Sequence, residues 1–146
     1  MRKKISLLLK FGGILLLIVV GAVVLMMGFS AAMLAYDTHR YQEFHNPEQV
    51  PDLAHFLEHY GDPERMYLVR VDQNQFYELV APKGDFNVLA SGPPIFLYGQ
   101  NGKLWDYTPD SGDVNFVKSG FQVGSIRRDE EVENPNQLIR KIIAEY

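Results

Sequence analysis

The 146-residue chain contains no cysteine, which excludes disulfides, thiolate chemistry and a lipid-modified cysteine anchor. Acidic residues are absent from its first 35 positions, whose only charges are those of Arg2, Lys3, Lys4 and Lys10. Four of the 14 basic residues thus precede residue 36 and all 18 acidic residues follow it, which leaves residues 36–146 with a formal charge of −8. An acidic segment of this kind has no electrostatic footprint for nucleic acid, and we expect no nucleic-acid partner.

Charge of either sign is missing from residues 11–35, "FGGILLLIVVGAVVLMMGFSAAMLA". A helix of that length reaches about 37 Å, which exceeds the roughly 30 Å hydrocarbon core of a bilayer. The apolar region of a secretory signal peptide has only about 7–15 residues, so this length favours a retained transmembrane anchor. The alternative is a signal peptide cleaved after Ala32, at the small-residue sequence Ser30-Ala31-Ala32, which would release a secreted binding protein.

The basic residues before the apolar run predict its orientation. Basic flanks stay on the cytoplasmic side, so we expect a single-pass protein of the cell membrane with its N-terminus inside and its C-terminal domain outside. The predicted parts are a cytoplasmic N-terminus (1–10), a transmembrane helix (11–35), a juxtamembrane linker (36–50) and an extracytoplasmic domain (51–146). Small residues recur on one face of the helix, where they would allow a second transmembrane helix to approach closely: Gly21, Gly28, Ala32 and Ala35.

The exported part has the pattern of a small α+β domain. Its apolar and aromatic runs predict strands that short turns connect, and such turns favour an antiparallel meander of 5–7 strands. The runs are 66–72, 76–81, 86–90, 95–99 and 103–108, with 114–118 and 121–126 as less regular additions. A short helix over 51–60 precedes the meander. A second helix follows it, with Asn134 as its cap, Pro135 at its first position and Gln137 completing a capping box; the acidic run Asp129-Glu130-Glu131 before it reads as a solvated loop.

The short helix carries "LAHFLEH", which contains His-x-x-Glu-His at residues 55–59. This sequence resembles the metal-binding helix of the pitrilysin and insulin-degrading family of zinc peptidases. The resemblance implies that His55 and His59 bind zinc and that Glu58 is the general base. It also implies a glutamate ligand roughly seventy residues downstream, near Glu131 and Glu133.

The helical periodicity argues against a zinc hydrolase. Leu53, Phe56, Leu57 and Tyr60 recur at the spacing of one helix face, so the two histidines and Glu58 fall on the opposite, solvated face. A catalytic zinc site needs a third protein ligand and a dry cleft. The family continues its helix where Tyr60-Gly61-Asp62-Pro63 ends this one, and the resemblance covers seven residues of the chain. We therefore expect no catalytic residue, metal or cofactor, and keep the zinc hydrolase as the alternative.

Two other stretches hold candidate sites. The acidic turn 106–113, "DYTPDSGD", has oxygen ligands that suit calcium, although its composition is typical of a Pro-Asp-Ser-Gly turn. The aromatic residues Tyr98, Trp105 and Tyr107 are either a binding surface or core, and we take Trp105 as the candidate contact. The sequence as a whole predicts a non-catalytic accessory or interaction subunit of a membrane assembly, whose partners are the lipid bilayer and other membrane proteins.

Overall fold

The computed structural model describes residues 2–86 and 92–146. The chain divides into two compact units, Met1–His39 and Arg40–Tyr146. The predicted strand 86–90 lies outside the described residues except for Phe86, which is not in a strand.

The apolar run belongs to one long helix, α1, which spans Arg2–Phe44. Every side chain from Phe11 to Tyr36 is exposed. Among the described residues this is the one helix that is long and apolar enough to cross a membrane. The prediction of a helix over 11–35 is confirmed, whereas the crossing of a membrane stays a prediction.

The second unit is built on a five-stranded antiparallel sheet of order β4-β3-β2-β1-β5. A 3₁₀ turn (Pro47–Gln49) and helix α2 (Leu53–Tyr60) precede the sheet, and helix α3 (Pro135–Glu145) follows it. The strands are β1 (Arg65–Val71), β2 (Asn74–Val80), β3 (Ile95–Tyr98), β4 (Leu104–Thr108) and β5 (Arg127–Glu131). The α+β fold with a meander between two helices is therefore confirmed.

Neighbouring strand residues point to opposite faces of the sheet, and both faces are covered. Helices α2 and α3 cover one face and form the helix-side core with strand residues such as Met66, Leu79 and Phe96. The segment 109–126 covers the other face, where Phe116 inserts against Val69 and Leu97 in the loop-side core. The two additional strands predicted at 114–118 and 121–126 are wrong, because the segment holds an isolated bridge between Asn115 and Gln122 and a 3₁₀ turn at Val123–Ser125.

Strand β5 corrects the prediction that Asp129-Glu130-Glu131 lies in a loop. Its five residues are all exposed and charged, yet they pair with β1 in antiparallel register. The physical reason is an ion pair that the sequence pattern does not reveal: Arg128 Nε donates to Oε1 of Glu78 at 3.0 Å, and Glu78 of β2 is only 2% exposed. The guanidinium also lies 4.5 Å from the ring centroid of Tyr67.

The helix ends were predicted less accurately than the helices. Helix α2 begins at Leu53 rather than Pro51, because Asp52 is its N-cap, and Gly61 ends it with φ +73°. In α3, Asn134 and Pro135 occupy the predicted positions, but the Asn134 side chain makes no capping hydrogen bond. Of the apolar residues of α3, Ile139 and Ile142 are buried, Leu138 is half-buried and Ile143 is exposed.

Candidate functional site

The His-x-x-Glu-His residues lie on α2, which is fixed at both ends. Asp52 accepts hydrogen bonds from the backbone N–H groups of Ala54 and His55, each at 3.1 Å, as an N-cap should. At the other end the Gly61 N–H donates to the Leu57 carbonyl at 2.9 Å. Leu53 and Phe56 are buried in the helix-side core, while Leu57 and Tyr60 are half-buried against it.

The first histidine, His55, belongs to the helix cap. Its Nδ1–H donates to Asp52 Oδ1 at 2.8 Å, and Lys103 Nζ lies 3.2 Å from the other carboxylate oxygen. Partial burial raises the pKa of Asp52, but the hydrogen bonds from His55 and Lys103 outweigh this effect and lower it to about 2. His55 itself is exposed, as the sequence predicts.

The second histidine, His59, is not on a fully solvated face, so that part of the prediction is wrong. It is half-buried, and its Nε2–H donates to the Phe44 carbonyl at 2.7 Å. Its ring lies 4.9 Å from the Phe44 ring and 4.5 Å from the Tyr60 ring, centroid to centroid. Glu58 is exposed.

Within the part of the chain that the structure describes, no third ligand lies with the two histidines. Each ring keeps one nitrogen lone pair, since the other nitrogen donates to Asp52 or to Phe44. Glu131 and Glu133, the glutamates that the resemblance implies, line a groove of about 660 Å³ with residues 62–65 and the start of α3. Over residues 2–86 and 92–146, no group of three or more His, Asp or Glu residues is placed to hold a metal ion. The described residues therefore do not fit the family's zinc site.

A histidine that sequence reasoning missed is the most enclosed one. His45 is 2% exposed and lies in a histidine–aromatic cluster, whose members are Tyr41, Phe44, His45, His59, Tyr60 and Phe86. Its Nε2 lies 3.3 Å from the Lys83 carbonyl, which can only accept, so Nε2 carries the proton. In the neutral ring Nδ1 then accepts from the Tyr60 hydroxyl at 2.8 Å. Burial lowers the pKa of His45 to about 4, although its bond to Lys83 opposes the shift.

The acidic turn 106–113 uses its oxygens internally. Asp106 is fully buried and accepts from the backbone N–H groups of Tyr107, Lys118 and Ser119 at 2.7–2.8 Å. Asp110 accepts from the Gly112 N–H at 2.8 Å, and the Thr108 hydroxyl lies 3.2 Å from an Asp113 oxygen. These bonds attach the segment 109–126 to the edge of β4, which is a structural role.

The aromatic candidates are mainly core residues. Tyr98 is fully buried and its hydroxyl donates to the Val50 carbonyl at 2.9 Å. Trp105 is half-buried, with its ring stacked on that of Phe76 at 4.4 Å, centroid to centroid. Gly21, Gly28, Ala32 and Ala35 are exposed along α1. Contact of Trp105 or of the small residues with a partner stays a prediction.

Comparison with known proteins gives no relative from which a function could be transferred. The chain matches no protein-family model, no curated protein and no solved structure.

Proposed function

We propose that this chain is a single-pass membrane protein whose N-terminus is cytoplasmic and whose small acidic α+β domain lies outside the cell membrane. The observation that carries the proposal is the uncharged run of residues 11–35, in a helix whose side chains are all exposed there. Exposing so much apolar surface to water costs roughly 25 cal/mol per Å². Lipid removes this cost, and the basic residues on one side give the direction of crossing.

The domain acts, in this proposal, as a non-catalytic accessory or interaction subunit. Three buried polar side chains of the described domain have structural partners: Glu78 holds β5, Asp106 holds the segment 109–126, and His45 joins α1 to α2. Groups so engaged stabilise a fold and leave little reactive chemistry free. Contact with other membrane proteins would involve the small-residue face of α1 or the exposed side of Trp105.

The experiment is a topology test with the full chain. A reporter that is active only outside the cytoplasm, fused after Tyr146, should be active. The protein should resist alkaline extraction from membranes and keep residues 1–32. Val23→Lys should weaken membrane retention, because a charge at the middle of a span costs about 2.5–3.5 kcal/mol.

The matched control is Gln42→Lys, which adds the same charge at an exposed position beyond the apolar run and should leave retention unchanged. A soluble product that begins at Met33 would overturn the anchor and favour the secreted binding protein. If the same reporter is active when it is fused before the N-terminus and inactive when it is fused after Tyr146, the true orientation is the opposite of the proposed one.

A further inference from the structure

The buried histidine lies where three separate segments of the second unit meet. His45 directly follows α1, its Nδ1 meets Tyr60 of α2, and its Nε2 meets the backbone of Lys83. Ring contacts add to these bonds, since Tyr60 stacks on His45 at 5.4 Å and Tyr41 meets it edge-on at 4.3 Å, centroid to centroid. This one ring thereby joins residues 40–50 to α2 and to the segment after β2.

The groups that face His45 among the described residues are aromatic rings, a histidine, a hydroxyl and a backbone carbonyl. From α1 they are Tyr41 and Phe44, from α2 they are His59 and Tyr60, and from the segment after β2 they are Phe86 and the Lys83 carbonyl. His59 disfavours a second positive charge nearby, and Arg40 lies over the Phe86 ring. No carboxylate contacts the His45 ring among the described residues.

We propose that His45 is an acid-sensitive latch, which holds residues 40–50 on the rest of the second unit when neutral and releases them when protonated. Two other contacts of this segment involve no group that changes charge near neutral pH: the Tyr41 hydroxyl donates to the Pro109 carbonyl at 2.7 Å, and Val50 is fully buried. The His59 bond to Phe44 also persists, because Nε2–H donates whether that ring is neutral or charged.

The direction of the effect follows from linkage. The pKa of His45 is about 4 in the closed state and near its ordinary value of 6.5 once the ring is hydrated. Protons therefore bind the open state more tightly, so the closed state is favoured above pH 6.5 and loses that advantage as the pH falls towards 4. Between pH 7.5 and pH 5 the ratio of open to closed molecules should rise about 30-fold.

Amide hydrogen exchange of the full chain in mild detergent tests the latch. Protection factors, which correct for the intrinsic effect of pH on exchange, are compared at pH 7.5 and pH 5 for peptides from 40–50 and from β2 and β3. In the wild type we expect protection of 40–50 to fall about 30-fold while that of the two strands changes little. In His45→Gln, whose amide can replace both hydrogen bonds without titrating, protection of 40–50 should be the same at both pH values.

The control variant is His55→Gln, which removes a titratable but exposed histidine from the same domain and should keep the wild-type pH response. The latch is overturned if 40–50 are equally protected at both pH values in the wild type, or if His45→Gln loses protection in acid as the wild type does. Equal loss of protection in β2 and β3 would also overturn it, because the whole domain would then be unfolding. If His45→Gln lacks protection throughout at pH 7.5, His45→Asn serves as the second non-titrating variant.

Discussion

At the residue scale, packing distinguishes two histidines that the sequence presents as a pair. The periodicity of α2 places His55 and His59 opposite the apolar stripe, and His55 is indeed exposed. A helical pattern cannot reveal a second neighbour on its polar face, however. Here the end of α1 lies against that face, so His59 bonds to Phe44 and is half-buried.

Substitution should separate the two histidines. His59→Ala removes a 2.7 Å hydrogen bond and two ring contacts, so we expect it to lower the free energy of unfolding by about 1–2 kcal/mol. His55→Ala alters an exposed side chain and should cost no more than about 0.5 kcal/mol. Urea unfolding of the two variants and the wild type measures the difference.

Zinc content gives the same pair of variants a second readout. One tightly bound equivalent of zinc, lost in both variants, would contradict the structural role and favour the hydrolase. If neither variant nor the wild type binds zinc, and both variants lower the free energy of unfolding by the same small amount, the contact of His59 with Phe44 does not stabilise the fold.

The sequence predicted local residue roles and missed distant ones. Gly61 was recognised as the end of α2 because a glycine after an apolar stripe is a local signal. His45 was not recognised, since its burial depends on Tyr60 and Lys83, which lie 15 and 38 residues away along the chain. No periodicity around His45 encodes those contacts.

At the element scale, four strands were recognisable and the fifth was not. Strands β1 to β4 contain apolar and aromatic residues that a buried sheet requires. Short turns join β1 to β2 and β3 to β4, whereas residues 81–94 join β2 to β3. Strand β5 contains no apolar or aromatic residue, because it is an edge strand with all five side chains exposed. Charged residues on an edge strand oppose unwanted pairing with other chains, which explains a composition that reads as a loop.

Helix α3 offers a test of which face packs on the sheet. Ile142 is 4% exposed and Ile143 is 38% exposed. Ile142→Asp buries an unpaired charge and removes apolar contacts with the helix-side core, so it should lower the free energy of unfolding by at least about 3 kcal/mol. Ile143→Asp is the matched change on the next residue and should cost less than about 1 kcal/mol. Similar melting temperatures for the two variants would contradict this assignment of the face.

At the scale of the whole molecule, the folded second unit begins earlier than the sequence suggests. Residues 36–50 are polar with scattered aromatics, which favoured a linker. In the structure α1 continues to Phe44, and Tyr41, His45 and Val50 are buried. The change from an apolar to a polar sequence at residue 36 therefore lies within α1, and residues from Arg40 onward belong to the second unit.

Three fragments without the apolar run test where this unit begins. A fragment of residues 36–146 should be more stable to urea than a fragment of residues 47–146, by at least about 3 kcal/mol after the entropy cost of ordering residues 40–46. The shorter fragment loses the burial of Tyr41 and His45, and burying one large side chain contributes roughly 1.5–3 kcal/mol. It also loses the Tyr41 bond to Pro109 and the His45 bond to Tyr60, and such hydrogen bonds contribute about 1 kcal/mol each. A third fragment, 40–146, should match the longest one, because it keeps every one of these contacts. Equal stability of 47–146 and 36–146 would show that residues 40–46 add nothing to the core, which would favour the predicted linker over a folded segment.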